Sequence, residues 1–296
     1  PFVGQAVASI ESLPANAYPG MKMAVTDPIR GGNFVYDATK ANVNDGGYII
    51  KGWVRQVTSL NLNHFNSQLV PMLRSAIANG LPVVDYSGAT VSLAEATTVI
   101  VDKDLRIDTN ITLTGQPLYL QGVISMPTNI TAAAAVGSRT ITVANATDIR
   151  VGDTLLLRKN YDYSLCEFSK VNSVRPYYKD GEAVTVTAIA GNLLTLDRPL
   201  KVQYLGVNTD EVSATRSGAV TINGLSTDTS GIFGLGLRLL TKLNFDLNSI
   251  VTNHAEADSS LWIDRCVNVR GNFKLVSNNA VTISGSNYGV SVANSQ

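Results

Sequence analysis

The sequence of 296 residues has few charged side chains, and the two signs cancel. Charged residues make up 16% of the chain, against roughly 25% in an ordinary soluble domain, and 23 Lys and Arg stand against 23 Asp and Glu. Binding to nucleic acid or to an anionic membrane needs a basic excess, so we expect neither partner. Long apolar runs are also lacking, which excludes a membrane-inserted helix, and an apolar content of 45% excludes a disordered chain.

Cysteine and histidine are scarce. The cysteines are Cys166 and Cys266, and the histidines, His64 and His254, lie far apart. A disulfide scaffold needs several cysteines in a short chain and a zinc site needs four clustered ligands, so we expect reduced thiols, no metal and no cofactor. Phosphate-loop, zinc-protease and nucleophile-elbow motifs are absent from the sequence. Any chemistry would therefore use carboxylates, hydroxyls or tyrosines on a β surface.

The chain contains many short strand patterns and one helix pattern. The helix is predicted over residues 65–79, ended by Gly80 and Pro82. Its apolar stripe consists of Leu69, Met72, Leu73, Ala76 and Ile77. Elsewhere, runs of four to six residues rich in Val, Ile, Leu and Thr alternate with turn residues, which predicts a mainly β fold.

An internal repeat near the end of the chain indicates a solenoid. At an offset of 24, residues 237–239 align with 261–263, and Asn244 coincides with Asn268. A further copy begins at Val290 at an offset of 29, if the loop through residues 278–279 and 284–286 is longer. Short strands without intervening helices predict a right-handed parallel β-helix, in which Asn244 and Asn268 stack as a ladder at a turn.

These patterns divide the chain into four parts. Residues 1–57 form a small β-rich module whose fold depends on neighbouring chains or on contacts with later parts of the chain. Residues 58–130 carry the capping helix and the first β-helix strands. Residues 131–205 form an inserted antiparallel β subdomain with hairpin turns at Gly152 and Gly191. Residues 206–296 hold about three clear coils, and because residues 290–296 stop within a coil we expect the chain to continue in a longer protein.

The N-terminal part resembles a known family. Residues 32–40 (GNFVYDATK), 42–47 (NVNDGG) and 52–56 (GWVRQ) are similar to the segment that precedes the β-helix in bacteriophage tailspikes. A helix, strands and pectate-lyase-like coils come after it in the order of that family. Residues 57–65 (VTSLNLNHF) stand where the family usually carries a Gly-Asp-Gly loop and an Asp pair, so the start of the helix must be built differently.

The resemblance implies a function. Residues 1–57 would mount a homotrimeric spike on phage tail proteins, and the β-helix would attach to a bacterial capsule or to lipopolysaccharide O-antigen. The protein would be made in the host cytoplasm and act, as part of the virion tail, at the host cell surface. Whether the spike also cleaves the polysaccharide stays open, with any active site expected mostly beyond residue 296. The alternatives are a free β-helix polysaccharide lyase or glycoside hydrolase, and a purely structural or adhesive β-solenoid.

Candidate site residues lie on the repeat. Glu256, Asp258 and Asp264 form the densest acidic group, with His254 and Arg265 beside them. Glycosidases pair carboxylates at about 5–5.5 Å or 6.5–9.5 Å, a separation that coils about 4.8 Å apart can provide, so these acids are the catalytic candidates. The alternative is that Glu256 and Asp258 belong to a solvated loop.

Strand alternation places Trp262 on the outside of the solenoid, between inward Leu261 and Ile263. An outward Trp suits either sugar stacking or a contact between the subunits of a trimer. With Arg265, Trp262 is the substrate-binding candidate.

Overall fold

Five turns of parallel strands form the body of the computed structural model, which describes residues 5–159, 181–206, 210–281 and 288–293. Cys166 and residues 284–286 lie outside the described residues. A five-stranded module precedes the solenoid, and an antiparallel subdomain interrupts it. The predicted fold class, a mainly β parallel β-helix with an N-terminal module, one helix and an antiparallel insert, is confirmed. None of the described helices is long and apolar enough to cross a membrane.

The N-terminal module has a hydrophobic core of its own. Phe34 and Trp53 are almost completely buried at its centre, together with Met23 and Ile10. The module therefore has a buried cluster of its own, and the expected dependence of its fold on neighbouring chains or later parts of the chain stays a prediction. Its sheet has the order β1-β2-β3-β5-β4. The strands are β1 (Gln5–Val7), β2 (Lys22–Val25), β3 (Gly32–Tyr36), β4 (Ile49–Ile50) and β5 (Trp53–Arg55).

The capping helix α1 spans Leu69–Asn79, and a short 3-10 helix at Leu62–Phe65 precedes it. The two do not merge, because Asn66 and Ser67 adopt left-handed backbone angles between them. Asn61 caps the 3-10 helix by accepting a hydrogen bond from the backbone N–H of His64. All five residues of the predicted apolar stripe are buried, and Gly80 ends α1 in the left-handed conformation, as predicted.

Each coil of the solenoid has three faces with one strand on each. In coils 4 and 5 a single long strand runs through the first and the second face, so these coils have two strands. The first face consists of β6, β9, β19 and the first halves of β22 and β24; the second face of β7, β10, β20 and the second halves of β22 and β24. The third face consists of β8, β11, β21, β23 and β25. The strand bounds are, for coil 1, β6 (Val83–Asp85), β7 (Thr90–Leu93) and β8 (Thr97–Ile100); for coil 2, β9 (Leu105–Thr109), β10 (Thr112–Gly115) and β11 (Leu118–Gln121); for coil 3, β19 (Val220–Asn223), β20 (Ser226–Thr229) and β21 (Phe233–Arg238); for coil 4, β22 (Leu243–Thr252) and β23 (Ser259–Asp264); and for coil 5, β24 (Val269–Asn278) and β25 (Tyr288–Ala293).

The register of the paired strands gives a longer repeat than the predicted 24 residues. Leu237 pairs with Ile263 rather than with Leu261, so coils 3 and 4 are offset by 26 residues on the third face and not by 24. The offset of 29 is confirmed, because Leu261 pairs with Val290. The repeat is also longer than about three coils: two further coils precede the insert.

The prediction that Asn244 and Asn268 stack as a ladder is wrong. Asn244 pairs with Arg270, while Asn268 lies in a left-handed turn and donates its side-chain N–H to the carbonyl of Thr241. A ladder forms instead where the second face ends. There, Asn279 Nδ2 donates to Asn253 Oδ1 at 2.7 Å, and Asn253 donates to Asp228 of the coil below.

The insert leaves the solenoid after β11 and returns before β19. It has a separate buried core, in which Leu155, Val184 and Val212 are prominent. Its antiparallel sheet extends beyond the predicted 131–205 to Val123 and Arg216. Its strands are β12 (Val123–Ile124), β13 (Thr128–Asn129), β14 (Thr140–Thr142), β15 (Thr154–Arg158), β16 (Gly181–Ala190), β17 (Leu193–Leu196) and β18 (Glu211–Arg216). The predicted hairpin at Gly191 joins β16 to β17. The turn at Gly152 precedes β15 but does not form a hairpin, because β14 pairs with β17.

The solenoid should fold without the insert. Ile124 and Thr215 are antiparallel partners, so an Asn-Gly turn can join them when residues 125–214 are deleted. Among the described residues, the main apolar loss is the cover that Leu156 and Ala183 give to Leu239, about 1–2 kcal/mol. We expect the deleted chain to keep its far-UV sheet spectrum and to unfold cooperatively, with a melting temperature lowered by no more than about 8 °C. Loss of the sheet spectrum would show that the coils depend on the insert.

Candidate functional site

The third face of the solenoid carries an aromatic cluster on its outside. Its inward residues are aliphatic side chains that stack in the core, such as Leu120, Leu237 and Ile263. The outward position beside them runs from Tyr119 through Gly236 and Trp262 to Ser291 in successive coils. Strand alternation therefore places Trp262 on the outer face, where it is half-buried.

Three rings contact one another in this cluster. Phe233, at the start of β21, stacks on Trp262 with ring centroids 4.7 Å apart and planes 20° apart. Tyr119 meets both rings edge to face, with centroids 6.3 Å away in each case. Burial raises the pKa of Tyr119, so its hydroxyl stays protonated at neutral pH.

Gly236 makes room for the cluster. A Cβ atom at this position would lie 2.2 Å from Cδ1 of Tyr119, so the tyrosine ring occupies the space that any other side chain would fill. Ser291, the neighbour of Trp262 on coil 5, is also small. Small residues above and below the rings thus allow aromatic side chains of non-adjacent coils to meet.

Charged side chains border the cluster at the end of the strands. The guanidinium carbon of Arg238 lies 4.7 Å from the centre of the Trp262 ring, a cation–π contact. Asp264 is buried and accepts two hydrogen bonds on Oδ2 from Arg265, from Nε at 3.0 Å and from a terminal nitrogen at 2.9 Å. Of the predicted site residues, Trp262, Asp264 and Arg265 therefore share one region of the third face.

The other predicted acids lie elsewhere. Glu256 is exposed on the loop before β23, where its backbone N–H donates to His254 Nδ1. Asp258 accepts a hydrogen bond from the hydroxyl of Ser259 at 2.7 Å. Six steps along the extended chain lead from Asp258 to Asp264, roughly 20 Å at 3.3 Å per residue. The structure thus brings Glu256 and Asp258 onto one loop and does not bring either to Asp264.

In the part of the chain that the structure describes, the buried thiol and the acidic residues give no second site. Cys266 is buried, and burial raises its pKa to about 12, so it stays a thiol. Within the described ranges no group of three or more His, Cys, Asp and Glu residues could hold a metal ion.

Comparison with known proteins supports the same architecture. No protein-family model matches the chain, and no curated protein matches it. Among solved structures, the tailspike protein gp49 of Pseudomonas phage LKA1 aligns with a TM-score of 0.55 and 21% identity over 75% of this chain and 37% of its own. The tailspike gp61 of Pseudomonas phage phi297 aligns with a TM-score of 0.51 and 16% identity, over 76% and 38%.

The chain has the fold of phage tailspikes. The resemblance seen in residues 32–56 is confirmed at the level of the fold. The aligned part covers well under half of either tailspike, and at this identity the likeness concerns architecture, so function is argued from the residues of this chain.

Sequence reasoning missed Tyr119, Phe233 and Arg238. The signal for Tyr119 was present, because Leu118 and Leu120 flank it as Leu261 and Ile263 flank Trp262. However, the insert separates Tyr119 from coil 3 in the sequence, and nothing in the local pattern says that β11 and β21 are neighbours.

Proposed function

We propose that this chain is part of a bacteriophage tailspike, a virion tail protein that attaches to a bacterial surface polysaccharide such as capsule or O-antigen. In this proposal residues 1–57 connect the spike to tail proteins, the spike is a homotrimer, and the solenoid receives the polysaccharide. The shared tailspike fold supports the architecture. The attachment site is the third face.

The observation that carries the proposal is the outward cluster of Tyr119, Phe233 and Trp262. Soluble proteins place aromatic rings together on an outer sheet face where a partner covers them. An indole ring with a cation beside it offers an apolar surface and hydrogen-bond donors, the combination that a pyranose ring with its hydroxyl groups requires. Arg265, held by Asp264, adds a fixed donor group at the edge.

A contact between subunits is the other use of the same surface. Three solenoids side by side must bury part of their outer faces, and Trp262 is suited to such a contact. The two uses differ in what covers the indole: a saccharide covers it only when added, whereas a neighbouring subunit covers it in the free spike.

Cleavage by Asp258 and Asp264 as a pair does not fit the geometry of β23. Two carboxylates must lie within about 9.5 Å of one another to act on a glycosidic bond. The extended strand β23 keeps Asp258 and Asp264 roughly twice that distance apart. Asp264, bound to Arg265, is therefore better suited to holding a charged surface in place than to acid catalysis.

Replacing Trp262 by alanine should weaken attachment. The purified chain is titrated against capsule or O-antigen from a bacterium that the phage infects, and we expect the affinity to fall by about tenfold, which corresponds to 1.4 kcal/mol. Tyr86→Ala is the matched control, because Tyr86 is an exposed aromatic residue in the turn between β6 and β7. Unchanged affinity in Trp262→Ala, or an equal loss in Tyr86→Ala, would contradict a saccharide site on the third face.

A further inference from the structure

Arg238 has an unusual environment for a half-buried arginine. Its Nε atom is buried without a hydrogen-bond partner, and its nearest carboxylate oxygen, Oδ2 of Asp264, is 3.7 Å away. Among the described residues, its guanidinium donates no hydrogen bond to a protein group, although 27% of the side chain is exposed to solvent. The cation–π contact with Trp262 holds the guanidinium carbon 4.7 Å from the ring centre but uses none of the five N–H donors of the group.

Two other buried or half-buried arginines, Arg216 and Arg55, differ in this respect. Arg216 binds both carboxylate oxygens of Asp153, at 2.9 and 2.7 Å, and also donates to the carbonyl of Asp148. Arg55 donates to three backbone carbonyl groups. In each case the donors have protein acceptors, so the role of the residue is structural. For Arg238 no such acceptors exist in the part of the chain that is described.

The local charge is also unbalanced. Asp264 is the carboxylate that both Arg238 and Arg265 approach, and its Oδ2 atom already accepts two hydrogen bonds from Arg265. Within the described ranges, one negative charge, that of Asp264, thus stands against the positive charges of Arg238 and Arg265 beside the aromatic cluster. A second carboxylate, supplied by a ligand, would restore the balance and would find the terminal N–H groups of Arg238 free to bind it.

We propose that the third face binds an acidic saccharide, a pyranose that carries a carboxylate, and that Arg238 receives this carboxylate while Trp262 contacts the sugar ring. This inference rests on the proposed attachment function and specifies its substrate class. The guanidinium presents two parallel N–H donors, which match the two oxygens of a carboxylate. Contact with Trp262 and proximity to Asp264 hold the group in place before the ligand arrives, so little side-chain entropy is lost on binding.

The test compares one polymer with and without its charge. Short oligomers of galacturonic acid and the same oligomers with their carboxylates reduced to alcohols are titrated into the full chain, and tryptophan fluorescence is recorded. Trp53 is buried in the N-terminal module, so the change reports on Trp262, the other tryptophan. We expect the charged oligomers to bind at least tenfold more tightly than the reduced ones. In Arg238→Gln this preference should disappear, and in Arg238→Lys it should be partly retained.

Each other outcome counts against the inference. Equal binding of the charged and reduced oligomers, or an equal loss of both in Arg238→Gln, would show that Arg238 does not recognise a carboxylate. Failure of the wild-type chain to bind galacturonate while it binds the host polysaccharide would overturn the inference and leave the proposed function intact. If neither binds, both fail. A fluorescence change that depends on protein dilution instead of added saccharide would assign the surface to a subunit contact.

Discussion

Replacing Arg55 by methionine is expected to unfold the N-terminal module. Arg55 is only 1% exposed, and its guanidinium donates to the carbonyl oxygens of Gly47, Gly31 and Arg30 at 3.0, 2.5 and 2.8 Å. It also lies over the ring of Phe34, at 4.6 Å from the centre. One side chain therefore holds the β3 and β5 strands to the turns that flank them.

The substitution would leave three carbonyl groups without their donor inside the module. Loss of such hydrogen bonds from a charged group destabilises a protein by about 3–5 kcal/mol in total. A module of this size has a core that supplies only about 3–5 kcal/mol, so the loss is comparable to its whole stability. Burial lowers the pKa of Arg55 to about 10, which still leaves it charged at neutral pH.

The measurement is limited proteolysis combined with the near-UV signal of Trp53, which lies in the module's core. We expect Arg55→Met to lose that signal and to be cleaved before helix α1, while the solenoid stays intact. Arg55→Lys should be nearly as damaging, because an ammonium group cannot reach three separated acceptors. The control is Arg106→Met, whose side chain is 64% exposed. A folded module in Arg55→Met would mean that strand pairing alone is sufficient.

Replacing Gly218 by alanine is expected to prevent coil 3 from joining coil 2. A Cβ atom on Gly218 would lie 1.8 Å from the carbonyl carbon of Lys103 and 2.1 Å from the nitrogen of Asp104. Both are backbone atoms of the turn between coils 1 and 2, so no rotamer change relieves the clash. The hydrogen bonds from Leu105 to Ala219 and from Ala219 to Asp104 would have to break.

We expect this substitution to destabilise the solenoid by about 4 kcal/mol or more, and to appear as low soluble yield and early aggregation on gel filtration. Gly289→Ala is the matched control, since among the described residues a Cβ atom there would meet only Val276, at an ordinary 3.4 Å. If Gly218→Ala and Gly289→Ala had the same melting temperature, the close approach at Gly218 would not limit stability.

Local signals in the sequence were sufficient to predict individual helices and strands, but not which strands pair with one another. The helix stripe, the glycine that ends it and the alternation around Trp262 follow from residue spacing alone, and all three were predicted. The offset of 24 failed although the true offset is a constant 26 from β21 through β22, because an alignment that matched Asn244 with Asn268 displaced every strand by two residues. Such a shift keeps inward residues inward, and the hydrophobic pattern alone could not detect it.

The site shows the same limit. Trp262 was found because its flanking residues alternate, whereas Arg238 was missed because its importance comes from missing partners, and a sequence does not show which donors lack acceptors. The acids Glu256, Asp258 and Asp264 formed a group by sequence position only. An extended strand carries close neighbours in sequence far apart in space, and β23 separates them along its length.

The position of the insert also sets an order of events during synthesis. Leu118 pairs with Leu235 across the whole insert, whereas Leu235 pairs with Leu261 one coil further along the chain. At a translation rate of about 5–20 residues per second, the ribosome needs roughly 5–20 s to make the insert. For that time the upper edge of coil 2 has unpaired N–H and C=O groups. The strand pairs of the insert are mostly closer in sequence than the pair of β11 and β21, so the insert has time to fold first. Coil 3 pairs with the free edge of coil 2 only afterwards.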